Sequence, residues 1–253
     1  MKNIVLVGSG NVATHIGISL IQQGYKIKQV WSNKLKNAEI LAKKLNSTAT
    51  NKITSLEYAD ADLYIISVKD DILANIIQQL KNINIVHTSG SAGLEVFKNR
   101  FNNYGVLYPL QTFNKEVSID LSTTPICIEA NNQNFHNKLI DVAAKLSKKV
   151  VTMKSEQRQQ LHIAAVFACN FTNHMFEIAN NILNKSNIDF KLLLPIINQT
   201  VIKLEKNKPS EVQTGPAKRK DKEIIQKHID NIQEEKLKDI YKLISNSIMK
   251  ENE

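Results

Sequence analysis

The stretch NIVLVGSGNVATHIGISLIQQG, residues 3–24, decides how the rest of the chain is read. Residues 3–7 are a short, β-branched apolar run, the composition of a buried strand. Gly8-Ser9-Gly10-Asn11-Val12-Ala13 follows at once, and a helix-forming stretch continues to about Gln23. A strand, a glycine-rich turn and a helix N-terminus in that order form a dinucleotide phosphate site. Gly8 permits the tight turn and Gly10 lets the backbone approach a pyrophosphate. Ala13 at the third position, with Gly17 one turn later, allows helix and strand to pack closely. The helix N-terminus offers unpaired N–H groups and a partial positive charge to the phosphates. The alternative for this segment is a tight turn without a ligand.

The end of the second strand bears on which dinucleotide. NAD enzymes usually carry an Asp or Glu there, about twenty residues past the glycines, to hold the ribose 2′-hydroxyl. Here the strand ends Val30-Trp31-Ser32-Asn33-Lys34, and the first carboxylate in the sequence is Glu39. A carboxylate repels a 2′-phosphate, whereas hydroxyl, amide and ammonium groups bind it. NADP is therefore the expected cofactor, with Ser32, Asn33 and Lys34 as contacts and Lys36 as a further candidate. An ordinary polar turn is the other reading. Val68 and Lys69, at the end of the fourth strand, are expected beside the cofactor, because ligands sit outside the carboxyl ends of parallel strands.

Beyond the opening, strands are expected at 26–32, 48–50, 62–68, 84–87, 105–108, 125–129 and 149–153. Helices are expected at 11–23, 34–45, 70–80, 93–101 and 133–146. Strands alternating with helices of this length predict an α/β domain with a doubly wound, mostly parallel sheet over residues 1–153. Seven of the eight glycines fall in the first 105 residues. The remainder, 154–253, is read as an all-helical domain for substrate binding and dimerisation. Its helices are placed at 156–184, 189–205 (with Pro195 as a kink) and 221–249, and a loop spans 206–220.

Composition narrows the classes. Hydrophobic content of 42% and charged content of 23% over 253 residues suit a globular protein. The net charge of +9 comes from abundant lysine. Its densest patch, Lys218-Arg219-Lys220 with Lys222, is interrupted by Asp221 and lacks interleaved aromatics, so nucleic acid is not an expected partner. No apolar run approaches the roughly 18 residues of a membrane span, and no signal peptide is visible. Cys127 and Cys169 sit in apolar stretches and read as buried thiols of a reducing compartment, so a cytoplasmic location is expected. No metal-ligand spacing occurs. His15, His136 and His228 are read as surface residues.

The N-terminal half resembles the NADP-binding domain of pyrroline-5-carboxylate reductases, 6-phosphogluconate-dehydrogenase-like enzymes and deazaflavin-dependent NADP oxidoreductases. The whole chain resembles a bacterial group of Rossmann-like oxidoreductases with a C-terminal domain of unknown function. The resemblance rests on His87-Thr88-Ser89-Gly90-Ser91, Tyr108-Pro109-Leu110-Gln111-Thr112-Phe113, Leu161 to Phe167, Asn170-Phe171, and Thr214-Gly215-Pro216-Ala217 with Arg219 and Asp221. It implies a Rossmann fold, NADP and an oxidoreductase. Where the group commonly has a His before the Pro-Leu pair, this chain has Tyr108.

Hydride transfer to C=O or C=N needs a proton donor or polarising group near the receiving atom. His87 and Ser89 open the turn after the fifth strand, at the ligand-bearing edge. His162 and Asn170 lie eight residues apart, about 80° past two full turns of an α-helix, and share only a broad face. Thr214 and Arg219 sit in a helix-breaking loop, where Arg219 can clamp a carboxylate bidentately. Each residue also has a structural reading as a turn, cap or core polar group. Residues 157–183 contain no Lys, unlike the hydroxyacid-dehydrogenase branch, and FACNFTN is not the Gly/Ser/Thr-rich block of a pyrroline-5-carboxylate reductase. The expectation is an NADP-dependent oxidoreductase acting on a small carbonyl or imine compound that carries a carboxylate. The site is expected in a cleft between the sheet's carboxyl edge and the helical domain of a homodimer. The alternative is an NADP(H)-binding sensor that turns nothing over.

Overall fold

The apolar runs of the first half become β1 (Asn3–Val7), β2 (Lys26–Trp31), β3 (Thr48–Thr50), β4 (Leu63–Ile66), β5 (Asn84–His87) and β6 (Asn103–Pro109), joined later by β7 (Ile126–Ala130) and β8 (Val150–Thr152). In this computed structural model, which describes residues 1–250 apart from Glu57, Ala59 and Asn99, they form one eight-stranded sheet ordered β3-β2-β1-β4-β5-β6-β7-β8. The order reverses between β1 and β4, which places a topological switch point at the end of the opening stretch. β1 to β6 are parallel, β7 runs antiparallel to β6, and β8 is parallel to β7. The mostly parallel, doubly wound sheet is thus borne out.

Both faces of the sheet are covered, which is why its central strands read as unbroken apolar runs. Ile4, Leu6, Leu63, Ile65 and Val86 lie in the core with residues of α1 (Asn11–Gln22), α2 (Leu35–Lys44) and α4 (Gln133–Leu146). Val5, Val7, Tyr64, Ile66 and Ile85 lie on the other face, with α3 (Asp70–Gln79) and the short 3-10 turn Leu94–Phe97. Gly17 shows the close packing expected of it: a Cβ there would come within 2.9 Å of both Leu6 and Leu45 side chains.

Several helices differ from expectation. Residues 93–101 do not form a helix. The Glu95 carboxylate accepts the Gly93 N–H, and Lys98 turns left-handed at φ 46°, so only the turn Leu94–Phe97 forms. The long helix expected at 156–184 is α5 (Ser155–Ala165), a π-helical segment Val166–Phe171 and α6 (Thr172–Asn184). Pro195 does not kink its helix. It occupies the first turn of α7 (Leu194–Lys203), where no N–H is needed. The loop at 206–220 contains one turn of helix, α8 (Pro209–Val212). The last segment breaks at an extended Ile232 into α9 (Lys222–Asn231) and α10 (Glu235–Lys250).

The chain divides into two compact units, Met1–Phe176 and Glu177–Glu253. The first therefore includes α5, which the sequence reading assigned to the helical half. In the second unit Ala217, Ile225 and Ile229 are buried with Tyr241, Ile248 and Met249 around them. Among the described residues no helix is long and apolar enough to cross a membrane.

What holds α5 in the first unit is Arg158, among the largest fully buried side chains. Its Nη1 donates to Glu129 of β7 at 2.6 Å, and its Nη2 donates to the Ala92 carbonyl in the turn after β5. Glu129 also accepts from the backbone N–H and the hydroxyl of Ser155, at 3.0 and 2.7 Å. Breaking a buried pair costs more than the pair contributes, because the remaining charge stays buried and unpaired. Arg158→Ala is expected to destabilise the fold by about 3 kcal/mol in urea unfolding. The double variant with Glu129→Gln is expected to cost less than the two single changes added together. Additive losses would show that the two side chains do not act as a pair.

Candidate functional site

At the carboxyl edge of β1 the backbone reverses at Gly8, whose φ of 131° suits a residue without a side chain. A Cβ there would run into the Ser67 carbonyl beyond β4. Gly10 faces open space and is the N-cap of α1, which no side chain caps. The first N–H groups of that helix therefore meet the cavity in front of it. The cavity measures about 450 Å³ and lies over the switch point. Its size and glycine floor fit a dinucleotide.

Of the expected cofactor contacts, Gly8, Ser9, Gly10, Asn11, Ser32, Asn33, Val68 and Lys69 line this cavity. The Ser9 hydroxyl donates to that of Ser32 at 2.9 Å, which ties the glycine turn to the tip of β2. Val12, Ala13 and Lys34 are not in the lining. Ala13 is buried under the turn, and Lys34 is the N-cap of α2. The cation on that wall is Lys44, which shares one face of α2 with Asn37, Ile40 and Leu41. This i, i+3, i+4, i+7 set was readable as a helix face. Trp31, Ser67 and Lys115 also line the cavity and were missed. Beside it Trp31, Asn33, Ile72 and the amides of Asn51, Asn75 and Gln79 enclose a further 330 Å³.

From Ser67 a chain of groups follows the strand ends. The Thr88 hydroxyl, after β5, donates to the Ser67 hydroxyl at 3.1 Å. The Ser89 hydroxyl accepts the N–H groups of Ser91 and Ala92 at 3.1 and 2.9 Å, so it shapes the turn. Gly90 packs against His162 of α5: a Cβ there would lie 2.7 Å from the imidazole. The same ring meets Tyr108 of β6, whose hydroxyl lies 2.9 Å from His162 Nδ1 with the rings edge-on. The structure thus brings His162 to the β5–β6 edge and pairs it with the residue that replaces the group's usual His.

His87 differs from the donor expected of it. It is fully buried and stacked on Phe97, and its Nδ1 accepts the Ser89 N–H at 3.2 Å. The proton is therefore on Nε2, which is buried and faces the Gly93 backbone. Burial above all, and then the Arg158 guanidinium, lower its pKa to about 3. A ring that stays neutral at pH 7 is no general acid. Burial chiefly, and Cys127 next, push the Tyr108 hydroxyl up to about 12, with Arg158 opposing them. Tyr108 therefore keeps its proton at neutral pH.

Asn170 is exposed within the π-helical segment. The wider i→i+5 turns advance each residue by a smaller angle, so Asn170 comes nearer the His162 face than α-helical spacing allows. Thr214 and Arg219 belong to the second unit. There Gly215, at φ 103°, turns the chain between them, both side chains are exposed, and Asp221 caps α9. Two other expectations need correction. Cys127 is buried but Cys169 is exposed, because it falls in the π segment away from the sheet. His15 is buried rather than on the surface, because the loop after β6 folds over it: its Nε2 is 2.9 Å from the Asn114 carbonyl, and its ring rests on Phe113.

Comparison with known proteins adds relatives. Residues 3–87 match the family model described as NADP oxidoreductase, coenzyme F420-dependent, and residues 124–248 match a domain of unknown function, DUF2520. The chain is similar to a Bacteroides fragilis protein assigned as an NADP oxidoreductase, with 37% identity over 98% of both chains and a TM-score of 0.92. It is similar to the Thermotoga maritima protein TM1727, with 20% identity over 98% of this chain and 99% of that one and a TM-score of 0.76. A pyrroline-5-carboxylate reductase from Coxiella burnetii, 14% identical over 99% and 97% of the two chains with a TM-score of 0.60, shares the fold. No curated protein matches this sequence.

The buried neutral His87 links stability to pH. Its folded pKa lies below the unfolded value, so its contribution is complete above about pH 6.5 and declines as pH falls towards 3. Between pH 7 and 4.5 the urea midpoint of the wild type is expected to fall more steeply than that of His87→Gln. Parallel slopes would show that His87 is not protonated on unfolding.

Proposed function

The chain belongs to the same family as the Bacteroides fragilis protein assigned as an NADP oxidoreductase, and from that membership we propose that it binds NADP(H) and acts on a small carbonyl or imine compound. The observation that carries this reading is the cavity over the Gly8–Gly10 turn, with hydroxyl, amide and ammonium groups at the tip of β2. The α1 N-terminus holds the pyrophosphate, and Ser32, Asn33 and Lys44 hold the 2′-phosphate. When bound, the nicotinamide supplies or takes the hydride.

The chain's own part is to place a proton at the receiving atom. β5 and β6 are one strand spacing apart, about 4.8 Å, and the nicotinamide end of the ligand is expected along this edge. We assign the proton donor to His162. Tyr108 is a positioning residue: its hydroxyl oxygen accepts the Nδ1–H of the charged ring, which leaves the Nε2 proton to be given to substrate. Ser89 and His87 support the turn that carries Gly90. The free cysteines suit work in the cytoplasm. Ile196, Val201 and Leu243 of the second unit are each at least 60% exposed, an apolar surface that suits a homodimer.

Trp31 is the single tryptophan and lines the cavity, so its fluorescence reports binding. NADPH is expected to quench it at micromolar levels and to bind more tightly than NADH. Lys44→Ala is expected to narrow that preference about tenfold and Lys34→Ala to leave it intact. No response to either dinucleotide would sink the cofactor reading. On a panel of ketoacids and cyclic imines, His162→Gln is expected to abolish NADPH oxidation while binding persists. Tyr108→Phe is expected to lower kcat by about tenfold or more and to move the pH profile. Binding without turnover on any of these compounds would leave a sensor instead. Chromatography with light scattering is expected to give a dimer for the wild type and a monomer for Ile196→Glu.

A further inference from the structure

The loop after β6 reaches back to the Gly8–Gly10 turn from about a hundred residues away. Asn11, the first residue of α1, holds it with both ends of its amide. Nδ2 donates to the Phe113 carbonyl at 2.8 Å, and Oδ1 accepts the Lys115 N–H at 3.3 Å. One turn along α1, the buried His15 adds a third tie, its Nε2 lying 2.9 Å from the Asn114 carbonyl, while its ring packs on Phe113. The Asn114 side chain then accepts the Glu116 N–H at 3.0 Å and shapes the turn at the tip. Residues 113–116 are thus fixed to the first two turns of the helix whose N-terminus faces the cavity, and Lys115 and Glu116 form part of the cavity wall.

From this arrangement we infer that the loop is a strap over the cofactor's phosphates, and that Lys115 is a cation for the dinucleotide pyrophosphate. The inference rests on the dinucleotide reading of the cavity and adds a phosphate ligand outside the glycine motif. The ties decide which phosphate is meant. The backbone N–H of Lys115 is bound to Asn11, so its side chain starts out beside the helix N-terminus, whereas Ser32, Asn33 and Lys44 form the wall near the tip of β2. An anion at the helix N-terminus meets partial charges from the backbone. A full positive charge on a side chain that starts beside it adds a charge-assisted contact. Because the ties pre-position the backbone, less ordering entropy is lost on binding. Glu116 faces the same cavity and opposes the effect, so the two neighbours predict opposite signs.

The test is the affinity of purified full-length protein for NADPH and NADH, read from Trp31 quenching and checked by equilibrium dialysis. Lys115→Ala is expected to weaken both dinucleotides by about tenfold and leave their ratio unchanged. Lys115→Arg is expected to keep most of the affinity, and Glu116→Gln to tighten both dinucleotides. Asn11→Ala is expected to match the loss of Lys115→Ala, and the double variant to lose little more. Unchanged affinity in Lys115→Ala overturns the proposal while the cofactor reading stands. A loss confined to NADPH overturns it as well, because Lys115 would then serve the 2′-phosphate. If the wild type binds neither dinucleotide, the cofactor reading fails and this proposal fails with it.

Discussion

A guanidinium removed from water must have its charge matched, and Arg158 meets this through its two Nη groups by bridging three segments at once, while its Nε–H stays buried without a partner. Glu129 comes from β7, the Ala92 carbonyl from the turn after β5, and Arg158 itself from α5. Removing either member would leave the other charge buried and unpaired. Four residues further along α5, His162 is thereby carried to Gly90 and Tyr108. The same charge acts on titratable groups that it does not bond. It works with burial to keep His87 neutral and against burial at Tyr108. One buried cation thus fixes the position of the candidate donor and reinforces what burial does at His87.

The α/β architecture was legible because its determinants are local. β1, the glycine turn and α1 are contiguous, and the turn itself demands a glycine at position 8. The polar tip of β2 was legible for the same reason. The choice between Lys34 and Lys44 was harder, because it depends on how α2 is rotated against the sheet. Ala38 and Leu41 of α2 are buried, and the neighbouring face then presents Asn37, Ile40 and Lys44 to the cavity. That phase follows from periodicity, whereas proximity to the motif in sequence points to the wrong lysine.

Other features depend on contacts between distant segments. Arginine is ordinarily exposed, so nothing near residue 158 marks it as buried. His15 looks like a surface position on α1 until the loop from β6 folds over it. The edge of β6 was visible as an unusual block, but the contact between Tyr108 and a helix fifty residues further on was not. The π segment is hidden too, since its composition suits an α-helix. Its wider turns become visible only once Val166 to Phe171 are placed.

The seat of His162 has a consequence for how this sequence can diverge. Gly90 is needed there for the space its missing side chain leaves, which the imidazole occupies. Positions 90 and 162 therefore share one volume, and neither can grow unless the other shrinks. Among homologues the two should vary together: a side chain at the first position should accompany a smaller residue at the second. Drift at the turn after β5 is then coupled to drift on α5, and a lineage that loses the glycine has also given up the imidazole.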